Sequence, residues 1–311
     1  PGGAGPGGAP SGRLQGVEQE GEKTMGKIVI VGSGPAGCSA ALYAARAGQE
    51  VVVISMGMGA LSKAELIQNY YGFEEGITGA ELYRQGVAGA KAVGAEFITA
   101  EVVGLDYTGS LVVQTTEGDY PADAVILATG AGRIAPKIAG LAEHEGRGVS
   151  YCATCDAFFY RGKTAAVLGS GEYALHEVQA LLPLAGKVIL CTNGEPLTAD
   201  FPEGVEICTE KLAAVEGEEK VSALRLENGE LLPVEGLFVA LGVAGSAALA
   251  RKLGAPVENG RIVVDERMQT GIPGLYAAGD CTGGLLQVCK AVYEGALAAT
   301  EAIKMLRGKK R

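Results

Sequence analysis

Two cysteines separated by two residues and followed by a carboxylate, Cys152-Ala153-Thr154-Cys155-Asp156, are the residues of this 311-residue chain best suited to chemistry. A pair at this spacing can form a readily exchanged disulfide, and the adjacent carboxyl can supply the proton that a leaving thiolate needs. The competing use of the pair is half of a zinc site, which needs further ligands at similar spacing. There is no second Cys-x-x-Cys, and the only histidines, His144 and His176, lie in unrelated segments. No metal site is expected.

The segments around the pair show what must position it. The β-branched run Lys27 to Val31 reads as a strand, Gly32-Ser33-Gly34-Pro35-Ala36-Gly37 as a turn, Cys38 to Ala47 as a helix and Glu50 to Ser55 as the next strand. A second helical pattern covers Ala80 to Val93, short β segments alternate from Glu96 to Tyr120, and Ala124 to Ala128 is a buried strand closing on Thr129-Gly130. The pattern then repeats. Thr164 to Leu168 is a strand, Gly169-Ser170-Gly171-Glu172-Tyr173-Ala174 a second glycine turn, Leu175 to Leu184 a helix and Lys187 to Cys191 a strand. Further β segments lead to Leu237-Phe238-Val239-Ala240, then Gly274 to Asp280 and a last helix from Leu286 to Leu306. The redox pair thus lies between two dinucleotide-type units, which disfavours a thioredoxin-like fold.

A Gly-x-Gly-x-x-Gly turn bends the backbone sharply and lets a pyrophosphate approach the N–H groups at the positive end of the following helix. The pattern alone is weak, but here it follows a strand and opens a helix, the context phosphate binding requires. The glycines could instead only permit close helix–sheet packing. Where an acid often takes the ribose hydroxyls, at the end of the second strand, this chain has Ser55.

Composition sets outer bounds. The length fits two domains, and 49 glycines, 48% hydrophobic residues, 5% aromatics and no tryptophan suit α/β layers. A net charge of −10 argues against nucleic acid. Seven cysteines are too thinly spread for a secreted disulfide framework, so a reducing, cytoplasmic setting is expected, and that setting also disfavours a purely structural disulfide. No apolar run reaches the roughly eighteen residues a membrane span needs. Residues 1–24, rich in Gly, Pro and charge, are expected to be a disordered leader or tag before a native start near Met25.

From Met25 to about Leu306 the chain resembles the low-molecular-weight thioredoxin reductases. The resemblance is carried by the glycine turn, the run Gly146 to Tyr160 around Cys-Ala-Thr-Cys-Asp, Ala128-Thr129-Gly130, and Ala277-Ala278-Gly279-Asp280. It implies an α/β protein of two dinucleotide-binding, Rossmann-like three-layer ββα domains, the second inserted into the first: a discontinuous FAD domain over 25–130 and 245–307, and an inserted domain over 131–244 carrying the disulfide. It implies that Gly32, Ser33, Gly34, Pro35, Ala36 and Gly37 cradle the FAD pyrophosphate. Asp280, with Gly279, would bond the ribitol; Thr129 and Gly130 would belong to the flavin domain; Gln287 and Val288 would approach the isoalloxazine from a helix N-terminus. Asn69 matches the family's Asn-x-x-Gly flavin-side segment, with an exposed loop amide the close alternative. Cys155 would receive electrons, Cys152 would exchange with thioredoxin, and Asp156 would be the acid. Family members are usually homodimers, and the alanine-rich last helix could pack in a dimer or in the core.

Three departures concern one ligand. Members that use NADPH carry His-Arg-Arg after the strand following the second glycine turn, for the 2′-phosphate. Here those positions are Thr192, Asn193 and Gly194, and from 188 to 210 there is no Lys or Arg among five acidic residues. Cys191 at the strand end is not the carboxylate that favours NADH. Tyr173 replaces a small residue in the turn and is expected to fill the vacated site, and the family's Gly-His-x-Pro reads Gly242-Val243-Ala244-Gly245. The combination resembles the ferredoxin-dependent flavin thioredoxin reductases, as does the Ser62 to Phe73 run. Reduced ferredoxin is therefore the expected donor, docking on a patch of Arg133, Lys137, Arg147, Arg161 and Lys163 despite the acidic net charge. NADPH-driven thioredoxin reduction and a dithiol oxidase passing electrons to oxygen are the rivals. Cys38, Cys208, Cys281 and Cys289 are expected to be small buried hydrophobes, and Glu216 to Glu219 to cap a hairpin in solvent.

Overall fold

The computed structural model describes Gly2 and residues 25–130, 137–242 and 244–308. The expected leader, apart from Gly2, and the positions Arg133 and Val243 lie outside the described residues. In chain order the first segment contributes β1 (Lys27–Val31), α1 (Pro35–Arg46), β2 (Glu50–Ile54), α2 (Gly79–Ala92), β3 (Glu96–Ile98), β4 (Val102–Tyr107), β5 (Leu111–Thr115), β6 (Gly118–Ala122) and β7 (Ala124–Leu127). The middle contributes β8 (Val149–Ser150), α3 (Ala153–Asp156), β9 (Thr164–Leu168), α4 (Glu172–Leu181), β10 (Lys187–Cys191), β11 (Glu206–Cys208), β12 (Leu212–Glu216), β13 (Ala223–Leu226), β14 (Leu231–Pro233) and β15 (Gly236–Val239). The last segment adds α5 (Ser246–Lys252), β16 (Val257–Glu258), β17 (Arg261–Ile262), β18 (Leu275–Ala277) and α6 (Val288–Gly308).

The first sheet runs β18-β7-β1-β2-β3 with every pairing parallel. Because successive strand side chains point to opposite faces, the run Ile28-Val29-Ile30-Val31 supplies both. Ile28 and Ile30 join Val51, Val53, Ile126 and Tyr276 against the alanines of α1 and α6. Val29 and Val31 join Val52, Ile54, Val125 and Leu127 against the antiparallel meander β4-β5-β6. Burial on both faces is why the strands are near-continuously apolar. The second sheet, β11-β10-β9-β15-β8, is also parallel and repeats the scheme, with α4 on one face and the meander β12-β13-β14 on the other. The chain is thus an α/β protein of two three-layer units, the first completed by β18 from the far end of the sequence.

Several expectations are revised. α1 begins at Pro35 rather than Cys38, since proline's missing N–H costs nothing in the first helical turn. α4 begins at Glu172 rather than Leu175, with that carboxylate in its first turn. Glu96 to Ile98 is not part of the meander but the edge strand beside β2, paired from Val52↔Glu96 to Ile54↔Ile98. The apolar face of α6 is core: Gly295 lies so close to α1 that an added Cβ would stand 2.0 Å from the Ala36 carbonyl oxygen. The hairpin between β12 and β13 carries exposed Glu218 and Glu219 as expected, and Arg225 pairs with Glu216 at its base. Among the described residues no helix is long and apolar enough to cross a membrane.

Candidate functional site

The first glycine turn divides its labour among three positions. Gly32 has φ +108, and a Cβ there would meet the Ala128 carbonyl oxygen at 2.3 Å; a Cβ on Gly37 would meet the Gly32 carbonyl oxygen at 1.8 Å. Those two glycines are dictated by packing. Gly34 is different, because a Cβ there would meet nothing within 4 Å. It opens onto free space at the start of α1, where Pro35 occupies the first turn and no side chain caps the N-terminus. An uncapped helix start beside an open glycine is a cradle that fits a dinucleotide pyrophosphate.

Ser33 contributes backbone only, since its hydroxyl is buried and turned to Ser55 Oγ at 2.6 Å and Tyr83 Oη at 3.1 Å. Thus Ser55, at the strand end where an acid was sought, belongs to a hydroxyl cluster with Tyr83, a residue that sequence reasoning missed. Asn69 and Gln287, 218 residues apart, are joined by an amide hydrogen bond of 2.9 Å from Asn69 Nδ2 to Gln287 Oε1, just before α6 begins at Val288. Gly279 (φ 88) donates its N–H to Glu294 Oε2 at 2.8 Å. Lys290 Nζ donates to the Gly279 carbonyl at 2.8 Å and pairs with Glu294 at 3.0 Å, while Thr282 Oγ1 donates to Glu294 at 2.9 Å. This network, also missed from sequence, fixes the turn that presents Asp280. Burial raises the Asp280 carboxyl above its ordinary value, with Lys290 acting in the opposite direction.

Cys152 and Cys155 form a disulfide, with Cα atoms 5.4 Å apart. Cys155 lies on the single turn α3 and Cys152 caps its start. The Cys152 N–H donates to Ser150 Oγ at 3.1 Å, and the same hydroxyl donates to Asp156 Oδ2 at 2.7 Å. Ser150, not singled out in the sequence, therefore ties the carboxylate to the redox turn. Cys152 is only 4% exposed whereas Cys155 is exposed, at a cleft of about 250 Å³ lined by Tyr151, Cys152, Cys155, Asp156, Glu145 and Arg251. Cys155 Sγ stands 3.5 Å from the Lys252 carbonyl oxygen at the end of α5. At the other end of α5, Ser246 donates its N–H to Thr129 Oγ1 at 2.8 Å. The six-residue step from Ser246 to Lys252 is about 9 Å of helix, so α5 is a short ruler between Thr129-Gly130 and the disulfide.

The second glycine turn is covered by the chain itself. The Thr198 N–H donates to the Ser170 carbonyl at 2.8 Å, and a Cβ on Gly171 would stand 3.0 Å from Thr198 Oγ1. The positions where guanidinium groups would be needed are consumed by the fold: Thr192 is buried, and Asn193 takes φ 56 with its Oδ1 accepting from the Leu212 N–H at 2.8 Å. Lys211 packs against this turn, its Cε 3.2 Å from where a Cβ on Gly194 would stand. Tyr173, in the first turn of α4, is packed into the core. It is 2% exposed and donates its hydroxyl to the Tyr151 carbonyl at 2.9 Å, bracing the redox turn. The exposed cations Lys137, Arg147, Arg161 and Lys163 all lie on the middle segment.

The other cysteines separate by burial. Burial pushes the Cys38 thiol up to about 12 and the Cys281 thiol up to about 11, and raises that of Cys191, which faces Cys208 across β10 and β11. Cys289, expected to be buried, is exposed, because its place in the first turn of α6 lies off the face that packs on α1. In the oxidised protein at pH 8, Cys289 is expected to react with a thiol reagent within minutes and Cys38, Cys191 and Cys281 at least a hundredfold more slowly. Peptide mapping after timed labelling checks this; rapid modification of Cys281 would contradict the packing around it.

A family model described as Pyridine nucleotide-disulphide oxidoreductase matches residues 26–295. The thioredoxin reductase of Aquifex aeolicus is 36% identical, covering 91% of this chain and 94% of its own length. Among solved structures, the atypical thioredoxin reductase of Desulfovibrio vulgaris Hildenborough is 39% identical with a TM-score of 0.85, covering 92% of this chain and 99% of that one. A ferredoxin-flavin thioredoxin reductase of Clostridium acetobutylicum is 35% identical with a TM-score of 0.70, covering 91% and 99%.

Proposed function

Since this chain belongs to the pyridine nucleotide-disulphide oxidoreductases and is an FAD-dependent disulfide oxidoreductase of the thioredoxin reductase kind, we propose that it reduces thioredoxin with electrons from reduced ferredoxin rather than from NADPH. The observation that carries the choice of donor is the state of the two glycine turns: the first is open at Gly34, the second is covered by Thr198, and Thr192, Asn193 and Gly194 stand where guanidinium groups would be needed. The relative from Clostridium acetobutylicum, named a ferredoxin-flavin enzyme, supports the same reading.

FAD, when bound, supplies the electron pair that reduces the Cys152–Cys155 disulfide. The residues Gly34, Asp280, Asn69 and Gln287 would hold it, and α5 sets how far the disulfide stands from Thr129. In the reduced protein the Cys152 thiolate attacks one sulfur of the thioredoxin disulfide, and the departing thiolate takes a proton. Asp156, held by Ser150, is the donor of that proton. The Cys155 thiolate then attacks Cys152 Sγ, restoring the internal disulfide and releasing thioredoxin with two electrons and two protons gained.

Anaerobic bleaching of the flavin tests the donor. Reduced ferredoxin is expected to bleach it within seconds, with recovery on adding oxidised thioredoxin, while NADPH and NADH act at least a hundredfold more slowly. Rapid bleaching by NADPH would overturn the ferredoxin reading. Oxygen uptake with small dithiols and none with thioredoxin would replace it by a dithiol oxidase.

A further inference from the structure

We propose that Lys252 and Glu177 form a buried latch between the two units, and that this latch must open before Cys152 can reach a protein disulfide. The inference rests on the reading of Cys152 as the sulfur that exchanges with a protein partner.

Lys252 ends α5, in the last third of the chain, whereas Glu177 lies in α4 of the middle unit. Their side chains are each 1% exposed, and Lys252 Nζ meets Glu177 Oε1 at 2.5 Å. The other carboxylate oxygen of Glu177 accepts the N–H of Ala153, the residue between Cys152 and the rest of the redox turn. One carboxylate therefore holds both the neighbouring unit and the disulfide segment. Burial alone would raise its pKa, but the contacts from His176, Lys252 and Ala153 outweigh burial and hold Glu177 below the ordinary carboxylate range.

The grip is wider than one ion pair. The Lys252 ammonium also lies over the Tyr173 ring at 5.6 Å, and the preceding Arg251 guanidinium over the Tyr151 ring at 4.5 Å. Tyr173 in turn holds the Tyr151 carbonyl. Two adjacent cations of α5 thus clamp both tyrosines that brace the redox turn, and the Lys252 carbonyl stands against Cys155. With this clamp closed, Cys152 is buried and no protein disulfide can approach it along the line its sulfur needs.

An ion pair suits a joint that must open. Separating two apolar faces leaves both wetted at a cost, whereas a separated ammonium and carboxylate each recover their hydration. Buried pairs add little net stability over apolar replacements but fix one geometry. Lys252 and Glu177 are accordingly positioning residues: they select the closed arrangement without welding it.

The test is alkylation of Cys152 in the dithiothreitol-reduced holoprotein, followed by peptide mapping. In the unaltered protein Cys152 should label at least a hundredfold more slowly than in urea. In Lys252→Met and Glu177→Gln it should label at least tenfold faster than in the unaltered protein, with Cys289 unchanged. The double variant should match the singles rather than multiply them, because both break one joint. Equal Cys152 rates in folded variants, or native labelling as fast as in urea, would overturn the latch; the second comparison stands even if a variant does not fold. Neither arm uses ferredoxin or thioredoxin, so failure of the latch and failure of the proposed function are seen in separate experiments.

Discussion

Cys155→Ser is expected to purify as a folded, yellow protein whose thioredoxin-linked turnover is lower by about a thousandfold or more. The serine hydroxyl is nearly isosteric and Cys155 is exposed, so packing loses little. The chemistry loses its resolving thiol. Among the described residues Cys38, Cys191 and Cys281 are buried with raised thiol pKa values, and none can substitute. Cys152 would still attack a partner, so the variant should accumulate a covalent mixed disulfide with thioredoxin that Cys152→Ser cannot form. A gel without reductant distinguishes the two. If Cys155→Ser kept more than a tenth of the activity, the internal disulfide would not be the electron relay.

The second large effect separates fold from ligand at a single turn. Gly37→Ala places a methyl 1.8 Å from the Gly32 carbonyl oxygen, and neither the rigidly attached Cβ nor that backbone oxygen can swing aside. It should cost about 3 kcal/mol or more and yield protein with little flavin and a lowered Tm. Gly34→Ala meets no protein atom within 4 Å. Its apoprotein should melt within about two degrees of the parent, yet bind FAD at least tenfold more weakly, because the methyl occupies the space left for the pyrophosphate. Titration of both apoproteins with FAD, alongside circular dichroism, measures the contrast. Equal FAD affinity in Gly34→Ala and the parent would place the pyrophosphate elsewhere.

What could be read from the sequence was whatever is local. Lys27 to Val31 declares a buried strand by composition, and Cys-Ala-Thr-Cys-Asp declares redox chemistry by spacing. β3 escaped because three residues carry too little pattern to say which sheet they join; its partner β2 lies more than forty residues back. Glu177 and Lys252 escaped for a different reason. A charged residue in a helix is ordinarily solvated, and only the meeting of α4 with α5, 75 residues apart, buries both. Tyr173 was visible as an oddity in a glycine turn, but its role could be found only from what its hydroxyl reaches.

The position of β18 bears on how the molecule is made. A ribosome delivers β1, α1 and β7 early, but β7 lacks its outer neighbour until Leu275–Ala277 is synthesised, and α1 lacks the helix that abuts Ala36 until Gly295 emerges. The middle unit closes its own sheet from β8 to β15 with no help from either end. Synthesis therefore favours a sequence of events in which the disulfide-bearing unit matures first, as a guest inside an unfinished host. A chain released before α6 would carry its redox turn on a finished scaffold yet lack the helix that packs on α1.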